Sequence, residues 1–392
     1  MRSICDIRVP FFSGIRKPHP APAAESLNLM IAKNLLAPLL LLGWMLAAGW
    51  SAALGAAAGA LPRPRLVLVG ALPGDARHLA RQGDRIYIAG QGAGPADAHR
   101  LTIASASDPN ALRVLGVYET PRPLEAVAVA RAHAYLANGY QGLIILDISE
   151  PARITEVGRT QEVAYAADVA VAGTLAYVLE GDGALRVFDV SNPGQPRQLG
   201  VSGVEEYEGR AVAVADGYAY IASGGRGVRV VDVSDPTRPV TAGYYDPPGP
   251  YHARDVVAAG QVLFLADKSI LDLTGSVRAL DISNPRAPLE IGAHPVDEPA
   301  LGVAYDQGFV FLAHETGGVS VFDASDPTAL RFVAAYNTPG QAVDVWANDG
   351  SVLVADGEGG LLLFHFLQPA IFLPSVQPAP RALDAGGRSL IQ

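Results

Sequence analysis

The run LRVFDVSNP at Leu185–Pro193 decides the fold, because the chain repeats it with small changes. LIILDISEP fills Leu143–Pro151, VRVVDVSDP Val228–Pro236, VRALDISNP Val277–Pro285 and VSVFDASDP Val319–Pro327. The closing prolines extend in both directions, at Pro109, Pro151, Pro193, Pro236, Pro285, Pro327 and Pro369, in steps of 42, 42, 43, 49, 42 and 42 residues. A period of that length fits one four-stranded propeller blade.

The unit from Asp168 to Gly200 shows the blade's parts. DVAVAG is a short first strand, TLAYVLE a second, ALRVFDV a third and RQLG a fourth, each bounded by Gly, Asn, Asp or Pro. The first strand alternates small residues, as in Val169-Ala170-Val171-Ala172 and Val212-Ala213-Val214-Ala215. Blades converge on the axis, so the inner strand needs small side chains. The third strand is apolar on both faces, as at Val228, Val230, Val231 and Val233, which suits burial between two neighbours. The fold expected is therefore all-β, a seven-bladed β-propeller. The first and seventh units are degenerate: Ser105 and His365 stand where the others have Asp.

The seventh unit runs out after its third strand, LLLFHF, while RLVLVG at Arg65–Gly70 is a spare strand ahead of the first. Pairing the two would close the ring and remove its open edges. AIFLP at Ala370–Pro374 is a rival for the same place. Residues 1–60 read as a leader, 61–369 as the propeller and 370–392 as a tail.

Residues 35–60 form an uncharged apolar run behind Lys33, ending in Ala58-Gly59-Ala60. That is the pattern of an export signal cut before Leu61; uncut, it is long enough to anchor the protein in a membrane. Met30 would make a conventional signal start. The only cysteine, Cys5, lies in this leader, so the body has no disulfide, thiol nucleophile or thiolate metal site. Without the leader the chain holds 24 basic and 37 acidic residues, and Lys268 is its only lysine. Such an acidic body does not attract phosphate backbones, which argues against nucleic acid.

The repeated phrase resembles the LVIVD repeat family over roughly residues 65–369. The resemblance implies a β-propeller of a kind found on exported or cell-surface bacterial proteins. It implies no catalytic residues.

In a four-stranded meander, the turns after strands one and three share one face and those after strands two and four the other. The first set is short and uniform and includes the D-x-S-x-P turn at Asp147, Asp189, Asp232, Asp281 and Asp323, whose residue types serve the turn itself. The second set varies, from NGYQG to the long DKSILDLTGS of the fifth unit, and variable loops on a rigid frame commonly carry binding.

Two candidate clusters lie on that variable face. Equivalent positions at the start of the inner strand are His78, Ala126, Asp168, Ala211, Asp255, Gly302 and Asp344. His78, Asp168, Asp255 and Asp344 could converge on a divalent cation such as Ca²⁺, or each could cap backbone N–H groups of its own loop. The loop entering the fifth unit adds Tyr244, Tyr245, Tyr251, His252 and Arg254, aromatic and polar groups that suit ligand capture or merely pack a long loop. Nearby loops contribute Glu162, Glu205, Glu206, Glu208, Asp297 and Glu298.

The chain has no G-x-S-x-G, no glycine-rich phosphate loop and no EF-hand loop; His314-Glu315 starts like a zinc motif, but Gly318 stands in the second histidine's place. The expectation is an exported binding module at the cell surface, its partner a surface protein or polysaccharide. The alternative is a metal-dependent propeller hydrolase or lyase working at the channel mouth.

Overall fold

A computed structural model describes residues 63–91, 99–160, 162–203 and 208–368. The leader with Cys5 and Met30, the cut before Leu61, Ala370–Pro374, the tail, Glu205 and Glu206 lie outside the described residues.

The described strands form seven four-stranded antiparallel sheets, and the only helical element among them is the 3₁₀ turn Pro151–Arg153. Six sheets are meanders of consecutive strands. Blade 3, for example, runs from Ala166–Ala172 on the inside through Leu175–Glu180 and Leu185–Asp189 to Arg197–Val201 on the outside. Blade 7 takes three strands from the C-terminal end, Asp344–Asn348, Ser351–Ala355 and Leu361–Leu367, and its outer strand from the N-terminal end, Arg65–Leu72. Leu66 sits opposite Phe366 and Leu72 opposite Leu361, so the spare strand closes the ring as expected. Inner strands neighbour one another in blade order, and that of blade 7 meets that of blade 1.

The core is divided among the seams. At the seam of blades 3 and 4, Tyr177, Leu179, Leu185 and Val187 pack on Val212, Ala219, Ile221, Val231 and Val233. The alternate residues Ala176, Val178, Phe188 and Val190 face the other way, onto Tyr135, Leu143 and Ile145 of blade 2. The two-residue period of a strand thus sends successive side chains to opposite seams, and all seven seams are filled this way.

A second contact recurs farther out, where the D-x-S-x-P turn of one blade abuts the outer strand of the blade before. Each aspartate's Oδ1 accepts the N–H two residues on, as Asp189 does from Ser191 at 2.9 Å and Asp281 from Ser283 at 2.8 Å. These bonds hold the carboxyls below their usual range. The turn presents its proline carbonyl to a glycine. A Cβ placed on Gly158 would fall 1.9 Å from the oxygen of Pro193. The same collision awaits Gly116 with Pro151 at 1.7 Å, Gly70 with Pro109 at 2.2 Å and Gly292 with Pro327 at 2.3 Å. In every outer strand a one-residue bulge immediately precedes this position. Blade 6 has Ala334 there, facing the unit that lacks both the turn's aspartate and a fourth strand of its own.

Gly158→Ala should therefore destabilise the ring by about 1–3 kcal/mol, the usual cost of overpacking a tight site. Ala334→Gly should cost no more than about 1 kcal/mol, the entropic penalty of a glycine in a strand. Chemical denaturation of the two variants beside wild type checks this; equal losses would show that the proline carbonyl is not the constraint.

Candidate functional site

Three residues set the entry to each inner strand. Odd-numbered blades read Ala76-Arg77-His78, Ala166-Ala167-Asp168, Ala253-Arg254-Asp255 and Ala342-Val343-Asp344; even-numbered blades read Leu124-Glu125-Ala126, Gly209-Arg210-Ala211 and Ala300-Leu301-Gly302. In odd blades the third residue reaches forward to the next blade. Asp168 accepts the N–H of Val169 and, across the seam, that of Val212 in blade 4, both at 2.7 Å. Asp255 holds Val256 and Val303 of blade 6, both at 2.8 Å. Asp344 holds Val345 and Leu79 of blade 1, also at 2.8 Å. His78 Nδ1 accepts more loosely from Val127 of blade 2, at 3.4 Å.

The first residue of the odd triplets reaches back. Ala166 pairs with Gly139, Ala253 with Gly224, Ala342 with Glu315 and Ala76 with Gly357, each on the preceding blade. Seams 1–2, 3–4 and 5–6 are thus fastened by a side chain and seams 2–3, 4–5 and 6–7 by a backbone bridge. Seams 3–4 and 5–6 add one longer backbone bond each, Gly209 to Gly181 at 3.2 Å and Ala300 to Asp267 at 3.3 Å. Two fasteners cannot alternate evenly round an odd ring; the seam where the chain's two ends meet carries both.

The four candidate metal ligands all line one cavity at the channel mouth. Each aspartate, however, already has both carboxylate oxygens engaged by backbone N–H groups. Among the described residues, no three His, Cys, Asp or Glu side chains are grouped to hold one metal ion. The aspartates cap backbone, and the second N–H of each belongs to the next blade rather than to their own loop.

Gathering these groups near the axis shifts them all. Burial raises the pKa of Asp168 and Asp344, against the opposing pull of His78. Burial and then the Asp344 charge push Asp255 up to about 7. For His78 burial acts downward, but Asp344, Asp168 and Asp255 together outweigh it and its pKa is raised. Its Nδ1 lies 3.8 Å from Asp344.

The middle residue of every triplet faces the opening. Arg77, Glu125, Ala167, Arg210, Arg254, Leu301 and Val343 all line one cavity of about 400 Å³, with His78, Asp168, Asp255 and Asp344 also in its lining and Tyr165 and Glu208 beside them. The cavity lies on the face of the variable loops. Tyr165 donates its hydroxyl to Glu125 at 2.6 Å, and Arg210 donates through Nε and an Nη to Glu208. Arg77 donates through Nε to Asp75 at 3.0 Å. Arg254 makes no hydrogen bond or ion pair with any described residue, and its Nε is buried without a partner. Burial, then the like charge of Arg210, lowers its pKa.

Of the five loop candidates, Arg254 alone lines this cavity. Tyr245 donates its hydroxyl to Glu290, and the ring of Tyr251 lies 4.7 Å beneath the Arg278 guanidinium. Arg278 in turn binds the fully buried Asp267, so Tyr245, at the end of blade 4's outer strand, and Tyr251, at the start of blade 5, both serve a network centred on blade 5. Tyr244 is 46% exposed on the outer strand, and His252 packs over Gly225. Glu208 lines the mouth, whereas Glu162, Asp297 and Glu298 do not. His314 is buried and hydrogen-bonds Ser320 at 2.7 Å. Arg77, Glu125, Tyr165 and Arg210 escaped the sequence reading, although the signal is simple: each of the three triplet residues stands one place before an inner-strand start already identified.

Fold and site together define a seven-bladed β-propeller with a polar pocket at one mouth of its channel. Residues 124–161, 164–200, 208–247 and 300–338 match the LVIVD repeat. These are blades 2, 3, 4 and 6; the units left out are the two degenerate ends and the lengthened fifth. No curated protein matches the chain. Among solved structures it is similar to the RRP9 WD40 repeats (TM-score 0.61, 11% identity, covering 78% of this chain and 99% of that one). It is also similar to the Neurospora crassa Pan2 WD40 domain (TM-score 0.58, 12% identity, 78% and 96%) and to the computationally designed Ika8 protein (TM-score 0.52, 11% identity, 78% and 100%). At such identities the likeness shows the fold alone.

The clamps make a pH signature. A carboxyl whose pKa is raised on folding stabilises fully below its unfolded value and loses that contribution as pH rises through its folded one. For Asp255 the window runs from about 4 to about 7. Asp255→Asn puts an amide N–H against a backbone N–H and should cost about 1–3 kcal/mol. The gap in melting temperature between wild type and this variant should be widest below about pH 4 and should narrow as pH rises to about 8. A gap that widens with pH would reverse the assignment. Comparing the two proteins cancels the opposite trends of His314 and the turn aspartates, whose pKa values are lowered.

Proposed function

We propose that the protein is an exported interaction module, its propeller standing at the cell surface or outside the cell and binding a surface protein or polysaccharide at the mouth of its channel. The observation that carries this reading is the rim. Seven equivalent positions line one cavity, and their chemistry changes from blade to blade while the frame beneath them repeats. A fixed scaffold with variable side chains at one opening is the arrangement of a recognition surface. The apolar run at 35–60, behind Lys33, supports export. The aspartates that a hydrolytic reading would use are engaged in holding blades together.

A photo-reactive amino acid at Tyr140, 78% exposed on the variable face, should form adducts on intact cells. The same group at Ser283, exposed on the turn face, should not. Protease added outside the cells should reach the protein, and mass spectrometry should find its N-terminus near Leu61. Adducts only at Ser283, or a protein inaccessible from outside, would overturn the reading.

A further inference from the structure

The geometry points to a ligand carrying two carboxylates, bound across the channel mouth between Arg254 with Arg210 on one side and Arg77 on the other. The inference rests on the mouth being the binding face, and names the chemistry that fits it. Arg254 is the first ground. A guanidinium offers five N–H donors and cannot be neutralised at physiological pH, so its donors need acceptors. Here they find none among the described residues, and the buried Nε is left bare. An acceptor brought in by a ligand would satisfy it.

The second ground is the neighbour. Arg210 occupies the same position one blade earlier, and its charge disfavours that of Arg254. Glu208 accepts from Arg210 through one oxygen only and is half exposed, with 51% of its side chain open to solvent. A carboxylate between the two arginines would relieve their repulsion and accept a bidentate pair of charge-assisted bonds.

The third ground is the ring itself. In a circle of seven blades, blade 1 stands opposite the seam between blades 4 and 5. Arg77 therefore faces the Arg210–Arg254 pair across the opening, and it spends Nε on Asp75, while its terminal nitrogens bond no described residue. Between the two poles the rim is apolar at Ala167, Leu301 and Val343, surfaces that suit the carbon chain joining two acid groups. Of the seven middle residues, Glu125 alone is a carboxylate, and it already accepts from Tyr165. The aspartates in the cavity wall direct their oxygens to backbone N–H groups.

Calorimetric titration of the full chain with glutarate is the test, with butyrate and inorganic phosphate as the one-anion comparisons. Glutarate should bind saturably, and butyrate and phosphate at least about tenfold more weakly, because each can meet only one pole. Arg254→Gln and Arg77→Gln should each weaken glutarate about tenfold or more, while Arg159→Gln, on an outer strand and paired with Glu156, should leave it unchanged. Arg254 has no hydrogen-bond or ion-pair partner to lose among the described residues, so its variant should melt like wild type. No heat at about 10 mM glutarate, or binding indifferent to Arg254 and Arg77, would overturn the proposal. So would butyrate or phosphate binding as tightly as glutarate. If adducts form at Tyr140 but glutarate fails, the mouth binds another chemistry and only this inference falls; failure of both removes the module reading as well.

Discussion

Everything in this molecule depends on the seam between neighbouring blades. A four-stranded sheet of this size has two apolar faces and no means of burying either alone. Each seam therefore supplies a hydrophobic cluster, a fastener near the axis and, farther out, a proline carbonyl set against a bare backbone. The last contact allows the least variation. An apolar cluster can be refilled with other side chains of similar volume, but a carbonyl oxygen 1.9 Å from where a Cβ would stand admits only glycine. The bulge before each of these glycines has the same origin, since an extra residue bends the outer strand toward the next blade's turn. Because no blade is complete without its neighbours, the ring has to close, and Arg65–Leu72 supplies the missing edge.

The division of labour inside the inner-strand triplet follows from that need. The first and third residues are committed to the seams, one backward and one forward, which is why they are Ala and Asp in three of the four odd blades. Alternation along an extended chain then turns the middle residue toward the opening, where no neighbouring blade constrains it. The rim can vary for the same reason that the clamp cannot. The clamp has a cost: three carboxyls near the axis resist ionisation, and Asp255 is held near neutrality. That cost is moderated by the N–H groups they accept, which would otherwise lie unpaired at the strand starts.

Fold and closure were legible in the sequence because both rest on features that survive in one dimension: a proline every 42 residues or so, strand alternation, and a strand count one short at one end and one over at the other. The turn aspartates were legible because their partner lies two residues away. The clamps were half legible. The alternation of His78, Asp168, Asp255 and Asp344 was visible, but the partners of the three aspartates lie 44, 48 and 265 residues away on another blade, and such distances carry no local signal. The tyrosines of the fifth unit misdirected attention for a related reason. Tyr245 and Tyr251 flank one short loop, yet what they serve is Arg278 and Glu290, on the third and fourth strands of blade 5.

Arg254 shows how site and scaffold meet in one residue's surroundings. It stands between Ala253, which bridges back to Gly224, and Asp255, which clamps forward to Val303. Its backbone is therefore among the best fixed in the ring, while its side chain is the one rim cation with no protein partner among the described residues. A charged group left unpaired in a loosely held loop can swing into water and lose nothing. One mounted on a doubly fastened strand start has less freedom to do so, and the desolvation of its Nε stays uncompensated within the described residues. That cost is pre-organisation: the donors are already in place, and a ligand meeting them has little ordering entropy to supply. Arg77 sits across the ring on the triplet at the closing seam, where Ala76 bridges back to Gly357 and Asp344 of the preceding blade holds Leu79, so a rim arginine at each pole is mounted on a strand start that the seams already fix.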